Sequence, residues 1–399
     1  MDIPTKNKTV LLGVTGSIAC YKAIDLASKL TQKGANVDVM LSKGAQNFVT
    51  PLSFRSITNR AVITDLYDEF SELNVSHVKL PTMADVLVIA PATAHTIAKL
   101  ALGLADDSIT TSALAMTGPI IVAPAMDGEM FNHPTVQAHL KTLSERGVHI
   151  VGPDIGYLAS GSVGKGRLVE PDELIDHINW ILGRNGDLGD KTIVVSAGGT
   201  REHLDPVRVL TNLSSGKMGY AIATAARDRG ASVHLVSAST TLDTPYGVTF
   251  HEVTSAKEMA EAIQKHSQGA DILVMAAAVA DYTPGIQSPN KLKKNLAEPW
   301  DLQLFPTPDI LAQLEGPIIK IGFAAETSNL IENATAKLRN KGLHLIVGND
   351  VTDPESGFGT DTNKITMIDP SGGIEELPVM AKYDAAHKIL DRAKQLTLK

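Results

Sequence analysis

Strand, tight turn, helix and strand follow one another twice in this chain, and the repetition narrows the possible folds more than any other feature. The first copy runs over residues 9–42 as TVLLGVTGS, IACYKAIDLASKL and KGANVDVMLS. The second runs over 191–238, where KTIVVSAGG leads to a helix ending RDRG and then to ASVHLVSAS. KGANVDVMLS and RGASVHLVSA match nearly residue for residue in type, each a helix-ending glycine followed by an alternating apolar strand. Short apolar runs bounded by turn signals read as buried parallel strands. Two tandem, doubly wound α/β units with mostly parallel, Rossmann-like sheets are the expected fold. A length of 399 residues, more than one core normally organises, agrees. A helix over 171–182 precedes Gly183-Arg184-Asn185-Gly186-Asp187-Leu188-Gly189-Asp190. The three glycines of that stretch mark a flexible joint, which places units at 1–190 and 191–399.

The turn of the second copy carries chemistry. After Ile193, Val194 and Val195 the strand stops at Ala197-Gly198-Gly199-Thr200, where missing side chains let backbone N–H groups approach an anion and Thr200 can cap or donate. Asn212, Ser214, Ser215, Gly216 and Lys217 then precede a helical run over 218–229. Hydroxyls, amides and an ammonium at one helix N-terminus suit phosphate. The pattern is not a Walker A loop, since Thr211 stands where the first glycine belongs and Met218 where Ser or Thr belongs. An ordinary corner with a serine N-cap would leave the same trace. Beyond it, ADILVMAAAVADYTP (270–284) is a strand whose small-residue end admits a flat base or ribose. Strands over 317–327 and 344–351 and a covering helix over 378–396 complete the unit.

In the first unit, DVLVIAPATAHTIAKLALGLADD (85–107) and PIIVAPAMDGEMF (119–131) each read as a strand and a corner. Ligands of open parallel sheets sit beyond the carboxyl ends of the strands, so 13–18, Ser42, 91–94 and 124–127 should share one crevice. These prolines and glycines could also serve only to shape loops. GVTGS lacks the full GxGxxG fingerprint of a nicotinamide dinucleotide site. A net charge of −8 argues against a nucleic-acid partner, and the one tight basic cluster, 291–294, is sized for a single triphosphate. The single cysteine, Cys20, allows no internal disulfide and no multi-cysteine zinc site, which fits a reducing cytoplasm. No run reaches about 18 uninterrupted apolar residues, so no membrane span is expected.

AGGTREHLDPVRVLTNLSSGKMG, AAVADY, KLKK and GFAAET, with GVTGSIACYK, APATAHTIAK and PAM ahead of them, stand in one order over essentially the whole chain. In this the chain resembles the bacterial bifunctional phosphopantothenoylcysteine decarboxylase / phosphopantothenate–cysteine ligases of coenzyme A synthesis. For the second half the resemblance implies amide synthesis from 4′-phosphopantothenate, cysteine and CTP with Mg²⁺. The substrate carboxylate attacks the α-phosphate to give an acyl-cytidylate and pyrophosphate, and cysteine then displaces CMP. Such a reaction needs cations on the phosphates and fixed donors at phosphorus. By motif match Asp281 contacts the cytosine or ribose beside Met275, Ala276 and Ala277. Lys291 neutralises phosphate, and Asn212 holds the acyl-cytidylate carbonyl. Pro308, Asp309, Ile310, Leu311, Phe323, Lys337 and Lys341 complete the CTP pocket, although the two lysines would also suit a solvated helix face. No residue is assigned to the metal.

For the first half the resemblance implies an FMN-dependent cysteine decarboxylase. The thiol is oxidised to a thioaldehyde, CO₂ leaves, and the enethiol receives a hydride from reduced flavin and a proton from the protein. Gly16, Ser17, Ser42, Thr93 and Ala94 match the FMN contacts, and His77 in SHVKLPTMAD matches the active-site histidine. Two positions depart from the pattern. Asp127 replaces the asparagine of PxMN, and an ionised carboxylate cannot donate to a substrate carboxylate. Ser160 replaces the flap cysteine, and a hydroxyl is a far weaker acid than a thiol of pKa about 8.5. These changes imply a flavin half that binds FMN but decarboxylates slowly, stalls at the enethiol or acts mainly as a scaffold. Tyr157 or Lys165 could replace the acid, and a protonated Asp127 could still donate. Two other readings stay open, an NAD(P)-linked oxidoreductase and a flavin-binding regulatory subunit joined to a ligase. The resemblance also implies trimers of the flavin half and dimers of the ligase half, hence a dodecamer.

Overall fold

The structure, a computed structural model, describes residues 3–66, 76–293, 300–350, 352, 356–357 and 359–397, with side chains described from residue 80 in the helix that opens at Ser76. The chain divides into two compact units, 2–182 and 183–399.

In the first unit β1 (Thr9–Val14), α1 (Cys20–Gln32) and β2 (Asn36–Leu41) form the first copy of the repeat. They are followed by α2 (Pro51–Thr58), β3 (Val62–Ile63), α3 (Ser76–Met83), β4 (Val86–Ala92), α4 (Ala94–Leu102) and α5 (Ser108–Ala115). Next come β5 (Ile120–Pro124), α6 (Gly128–Asn132), α7 (Pro134–Glu145) and β6 (His149–Ile150). A hairpin of β7 (Asp154–Tyr157) and β8 (Val163–Arg167) leads to α8 (Pro171–Gly183). The sheet is wholly parallel in the order β3-β2-β1-β4-β5-β6, so the winding reverses between β1 and β4. Alternate residues of β1 face opposite layers. Val10, Leu12 and Val14 pack against Leu26 and Leu30 of α1, while Leu11 packs with Leu87, Ile97 and Ile109. Each such side chain contributes roughly 1.5–3 kcal/mol when fully buried.

The second unit begins with the polar stretch 183–190, which is seated rather than loose. Leu188 is fully buried and donates its N–H to Arg229 O at 2.9 Å, and a Cβ at Gly186 would lie 2.4 Å from that same carbonyl. Asp187 pairs with Arg229 and Lys394. The glycines expected to loosen a joint instead allow close backbone packing.

Its elements are β9 (Thr192–Ala197), β10 (Arg201–His203), β11 (Val209–Thr211), α9 (Lys217–Asp228), β12 (Ser232–Ser237) and β13 (Thr249–Glu252). Then come α10 (Ala256–His266), β14 (Ile272–Met275), β15 (Tyr282–Pro284), β16 (Leu304–Pro306), α11 (Ile310–Gln313) and β17 (Ile319–Glu326). The last are α12 (Leu330–Asn340), β18 (Leu345–Asp350), β19 (Thr362–Asn363), β20 (Thr366–Ile368), β21 (Ile374–Glu376), β22 (Met380–Ala381) and α13 (Lys382–Thr397). The sheet runs β13-β12-β9-β14-β17-β18-β20-β21, parallel through β18 and antiparallel beyond it. Ile222 and Ala226 of α9 join Ile389 and Leu390 of α13 on one face. Ile263 of α10, Leu311 of α11 and Leu338 of α12 cover the other.

Candidate active sites

In the second unit a cavity of about 920 Å³ opens at the carboxyl ends of the parallel strands. One wall is the segment after β14, and its shape explains the glycines at the turn after β9. Ala277 N–H donates to Ser196 Oγ at 3.0 Å, Ala278 N–H to Gly198 O at 2.8 Å and Ala280 N–H to Thr200 Oγ1 at 2.9 Å. Gly198 has φ +78°, and a Cβ there would meet Ala238 O at 2.6 Å. The Gly-Gly turn and the fully buried Thr200 therefore build the wall from behind and do not line it, which corrects their expected role as an anion cradle. Residues 211–218 form a second wall, and Asn212 Nδ2 donates across to Val279 O at 3.1 Å. Gly216, in the left-handed region at φ +76°, rather than a serine is the N-cap of α9; Ser214 Oγ accepts its N–H at 3.3 Å.

Four lysines reach the cavity. Lys217 Nζ lies 2.6 Å from Asp361 and 2.8 Å from Gly359 O. Lys337, on α12, donates to Phe323 O at 2.7 Å, and burial, then Lys341, holds its pKa below the ordinary lysine value. Lys341 pairs with Asp309 at 3.3 Å, so these two are cavity groups and not a solvated helix face. Lys382, only 8% exposed, donates to Thr362 O at 2.9 Å and to Thr360 Oγ1 at 3.0 Å. Burial first and Lys217 second push its pKa down. Asp281, Asp309 and Glu326 supply the opposite charge.

Among the residues singled out from sequence, Asn212, Met275, Ala276, Ala277, Asp281, Pro308, Asp309, Ile310, Leu311, Phe323, Lys337 and Lys341 all line this cavity. Lys291 does not: it is exposed, and its neighbour Leu292 is clamped by Asp205, whose Oδ2 accepts the Leu292 N–H at 3.1 Å, and by Arg208, which donates to Leu292 O. Lys294 lies outside the described residues. Sequence reasoning missed Lys382, Asn349 and Asn363. Asn363 Oδ1 is buried at the wall with no partner among the described residues. A signal for Lys382 existed, because a lysine opening a helix opposes the helix dipole and needs another reason to be there.

In the first unit the residues expected to share a crevice lie at the ends of β1, β2, β4 and β5, around the point where the winding reverses. Thr15 Oγ1 donates to Pro91 O at 2.7 Å and accepts Thr93 N–H at 3.0 Å, which fastens the end of β1 to that of β4. Gly16 sits against Gly44, where a Cβ would come within 2.8 Å of backbone. Ser17 Oγ accepts Ala19 N–H at 3.3 Å, and Ser42 Oγ accepts Ala45 N–H at 3.2 Å. Thr93 caps α4 through Thr96 N–H at 3.4 Å, and Ala94 opens that helix. All five residues are half-buried. His77 falls within α3, but its side chain lies outside the described residues.

Asp127 caps α6, its Oδ1 accepting Glu129 N–H at 3.0 Å, and its Oδ2 accepts the Ser160 hydroxyl at 2.6 Å. These two bonds, Ser160 first, hold its carboxyl below the usual range, so the group rests as an ionised acceptor and not as the protonated donor considered from sequence. Ser160 Oγ is also 2.9 Å from Ser162 Oγ. Tyr157 is 81% exposed, and Lys165 places its ammonium 5.4 Å from the centre of the Phe131 ring.

Residues 3–183 match the family model Flavoprotein, and residues 188–396 match DNA/pantothenate metabolism flavoprotein C-terminal domain. Over 397 residues the chain is 43% identical to the coenzyme A biosynthesis bifunctional protein CoaBC of Bacillus subtilis (strain 168), with 98% of each chain covered. The chain belongs to the CoaBC family. The CoaBC protein of Escherichia coli (strain K12) is 39% identical over 391 residues, covering 96% of each. A solved C-terminal domain of a CoaBC protein is 42% identical, covers 53% of this chain and 96% of that one, and gives a TM-score of 0.45. The lysine-lined cavity falls within the segment matched by the C-terminal family model, and the ends of β1 and β4 fall within the flavoprotein segment.

Proposed function

We propose that the chain carries 4′-phosphopantothenate to 4′-phosphopantetheine in two steps of coenzyme A biosynthesis, a CTP-dependent ligation in the second unit and a slow FMN-dependent decarboxylation in the first. The observation that carries the ligation is the convergence of Lys217, Lys337, Lys341 and Lys382 on a cavity that also holds Asn212 and the small residues Ala276 and Ala277. Its volume suits a nucleotide with a second substrate. Small side chains leave room for the base beside Asp281, and Asn363 Oδ1 offers a buried acceptor that a cytosine amino group or a ribose hydroxyl would satisfy.

In this reading the lysines hold the phosphates and stabilise charge as the substrate carboxylate attacks the α-phosphate. Asn212 orients the acyl-cytidylate carbonyl for attack by cysteine. Lys291 neutralises phosphate from the segment that Asp205 anchors. Asp281, Asp309 and Glu326 are the cavity carboxylates that would hold Mg²⁺, which would offset phosphate charge as it develops.

In the first unit Gly16, Ser17, Ser42, Thr93 and Ala94 hold FMN at the reversal of the winding, the place where open sheets bind ligands. Bound there, FMN supplies oxidation of the substrate thiol and return of the hydride. His77 serves the active site, while the Ser160–Asp127 pair withholds a proton from the closing step. We also propose a cytoplasmic homo-oligomer, a dodecamer by family expectation. Among the described residues no helix is long and apolar enough to cross a membrane.

The deciding measurement incubates the protein with 4′-phosphopantothenate, cysteine, CTP and Mg²⁺ and follows CMP release and product mass. CMP with the cysteine adduct and a slow trickle of 4′-phosphopantetheine is the expected result. Absence of CMP overturns the ligase reading, and fast 4′-phosphopantetheine overturns the impaired decarboxylase.

A further inference from the structure

Away from both sites, three histidines meet on the second unit. His234 is the third residue of β12, His251 the third of β13 and His266 the last of α10. Val236 stands opposite His251 in the parallel pairing, so His234, Val236 and His251 project from one face of the sheet. That face is the one α10 covers, since Val236, Met259 and Ile263 share a core. The apolar layer ends there, and three half-buried imidazoles occupy its edge.

Their ring nitrogens lie close together. His234 Nδ1 lies 3.0 Å from His251 Nε2, and the rings of His251 and His266 stack with centroids 3.7 Å apart. One donor nitrogen from each ring lies within 4.8 Å of the other two. Stacked imidazoles at a core edge add little packing that an aliphatic side chain would not, so the gathering of three metal-ligating side chains in one place is what sets this arrangement apart.

We propose that His234, His251 and His266 form a site for one divalent transition metal such as Zn²⁺, with a water as fourth ligand. Zn–N bonds of about 2.0–2.1 Å in tetrahedral geometry need nitrogens roughly 3.4 Å apart with each ring plane aimed at the ion, so the metal would replace the His234–His251 hydrogen bond and turn the stacked His251 and His266 rings out of parallel. An all-nitrogen set beside Lys265 selects Zn²⁺, Co²⁺, Ni²⁺ or Cu²⁺ over the oxygen-seeking Mg²⁺ and Ca²⁺. The site lies toward the starting end of β12, whereas the nucleotide cavity lies at the carboxyl ends of the strands, so the metal ties α10 to β12 and β13 and takes no part in ligation.

The test uses untagged, chelator-stripped full-length protein without nucleotide. One Co²⁺ per chain should bind with the visible absorption of a four-coordinate nitrogen site, Zn²⁺ should displace it, and Tm should rise with metal. His234→Asn, His251→Gln and His266→Gln should each weaken Zn²⁺ binding at least tenfold, while His203→Gln leaves it unchanged. CMP release should be equal in stripped and metal-loaded protein. Failure to bind Co²⁺ at micromolar concentration overturns the proposal, as does uptake untouched by all three substitutions. Should one variant not fold, the other two decide.

Discussion

Ser160 donates its hydroxyl hydrogen to Asp127 Oδ2 across 2.6 Å, joining the loop between β7 and β8 to the first turn of α6. A hydroxyl bound to a carboxylate has its proton committed, and the carboxylate that receives it stays ionised. Ser160→Cys together with Asp127→Asn should therefore speed decarboxylation by about 10²- to 10⁴-fold, the usual reach of general acid catalysis. Ser160→Cys alone should gain less, because Asp127 would hold the thiol proton. Mass analysis of 4′-phosphopantetheine formation reads both, and an unchanged rate in the double variant contradicts the account.

Lys337 has a depressed pKa because it is buried and close to Lys341. Phosphate arriving beside it favours the charged form, so CTP binding should take up a proton at alkaline pH. Wild-type affinity for CTP should fall as pH rises through the lowered Lys337 pKa, since the free protein loses the charge there first. Lys337→Met should remove that inflection and weaken CTP about 10- to 100-fold, the worth of one charge-assisted hydrogen bond. Titration calorimetry in two buffers of different ionisation enthalpy measures both effects.

Asp205, 2% exposed, accepts the Val207 and Arg208 N–H groups at 2.8 Å and the Leu292 N–H at 3.1 Å. Burial pushes its pKa up, but these bonds and the Arg208 guanidinium outweigh burial and keep it ionised. Arg208 in turn lies 5.0 Å from the Trp300 ring centre. Asp205→Asn should loosen the segment that carries Lys291, speed tryptic cleavage at Lys291 and lower kcat for CMP release at least tenfold with little change in CTP affinity. A lowered affinity with normal kcat would place the fault elsewhere.

His387 is 3% exposed, stands edge-on to Tyr383 at 4.6 Å, and neither ring nitrogen has a partner among the described residues. Burial, then Arg229, lowers its pKa to about 4. The unfolded chain titrates near 6.5, so it binds the proton more tightly than the folded one. Stability is full above about pH 6.5 and falls as pH drops toward 4, by roughly 3 kcal/mol from this group. His387→Phe should flatten that decline. Denaturant midpoints at pH 7 and 4.5 decide, and equal slopes for both proteins would count against it.

The fold was legible because two separate apolar strands, one around Val37 and one around Val233, carry the same flanking grammar, and hydrophobic pattern is what a sheet sorts by. The cavity was legible where motifs run contiguously, as in 275–281. It was not legible where the chain returns from afar. Lys382 reaches the site through the start of α13, and its one local trace, a lysine set against the helix dipole, does not say that tertiary contacts with Thr360 and Thr362 hold it at the cavity. Thr200 misled for the opposite reason: its neighbours in sequence suggest an anion site, whereas its hydroxyl is committed to Ala280 N–H, a partner 80 residues away.

The ion pair of Lys217 with Asp361 has a consequence for turnover. Before any ligand arrives this ammonium already has a counter-charge, so an incoming group must displace a carboxylate to gain it. Adjacent phosphates with several negative charges can win that exchange. In the proposed ligation a single phosphate, such as the one left on the nucleotide, would compete less well, and Asp361 would reclaim its lysine as that product departs. The resting contact would thus act as a threshold for charge density, admitting the fuel and expelling the ash.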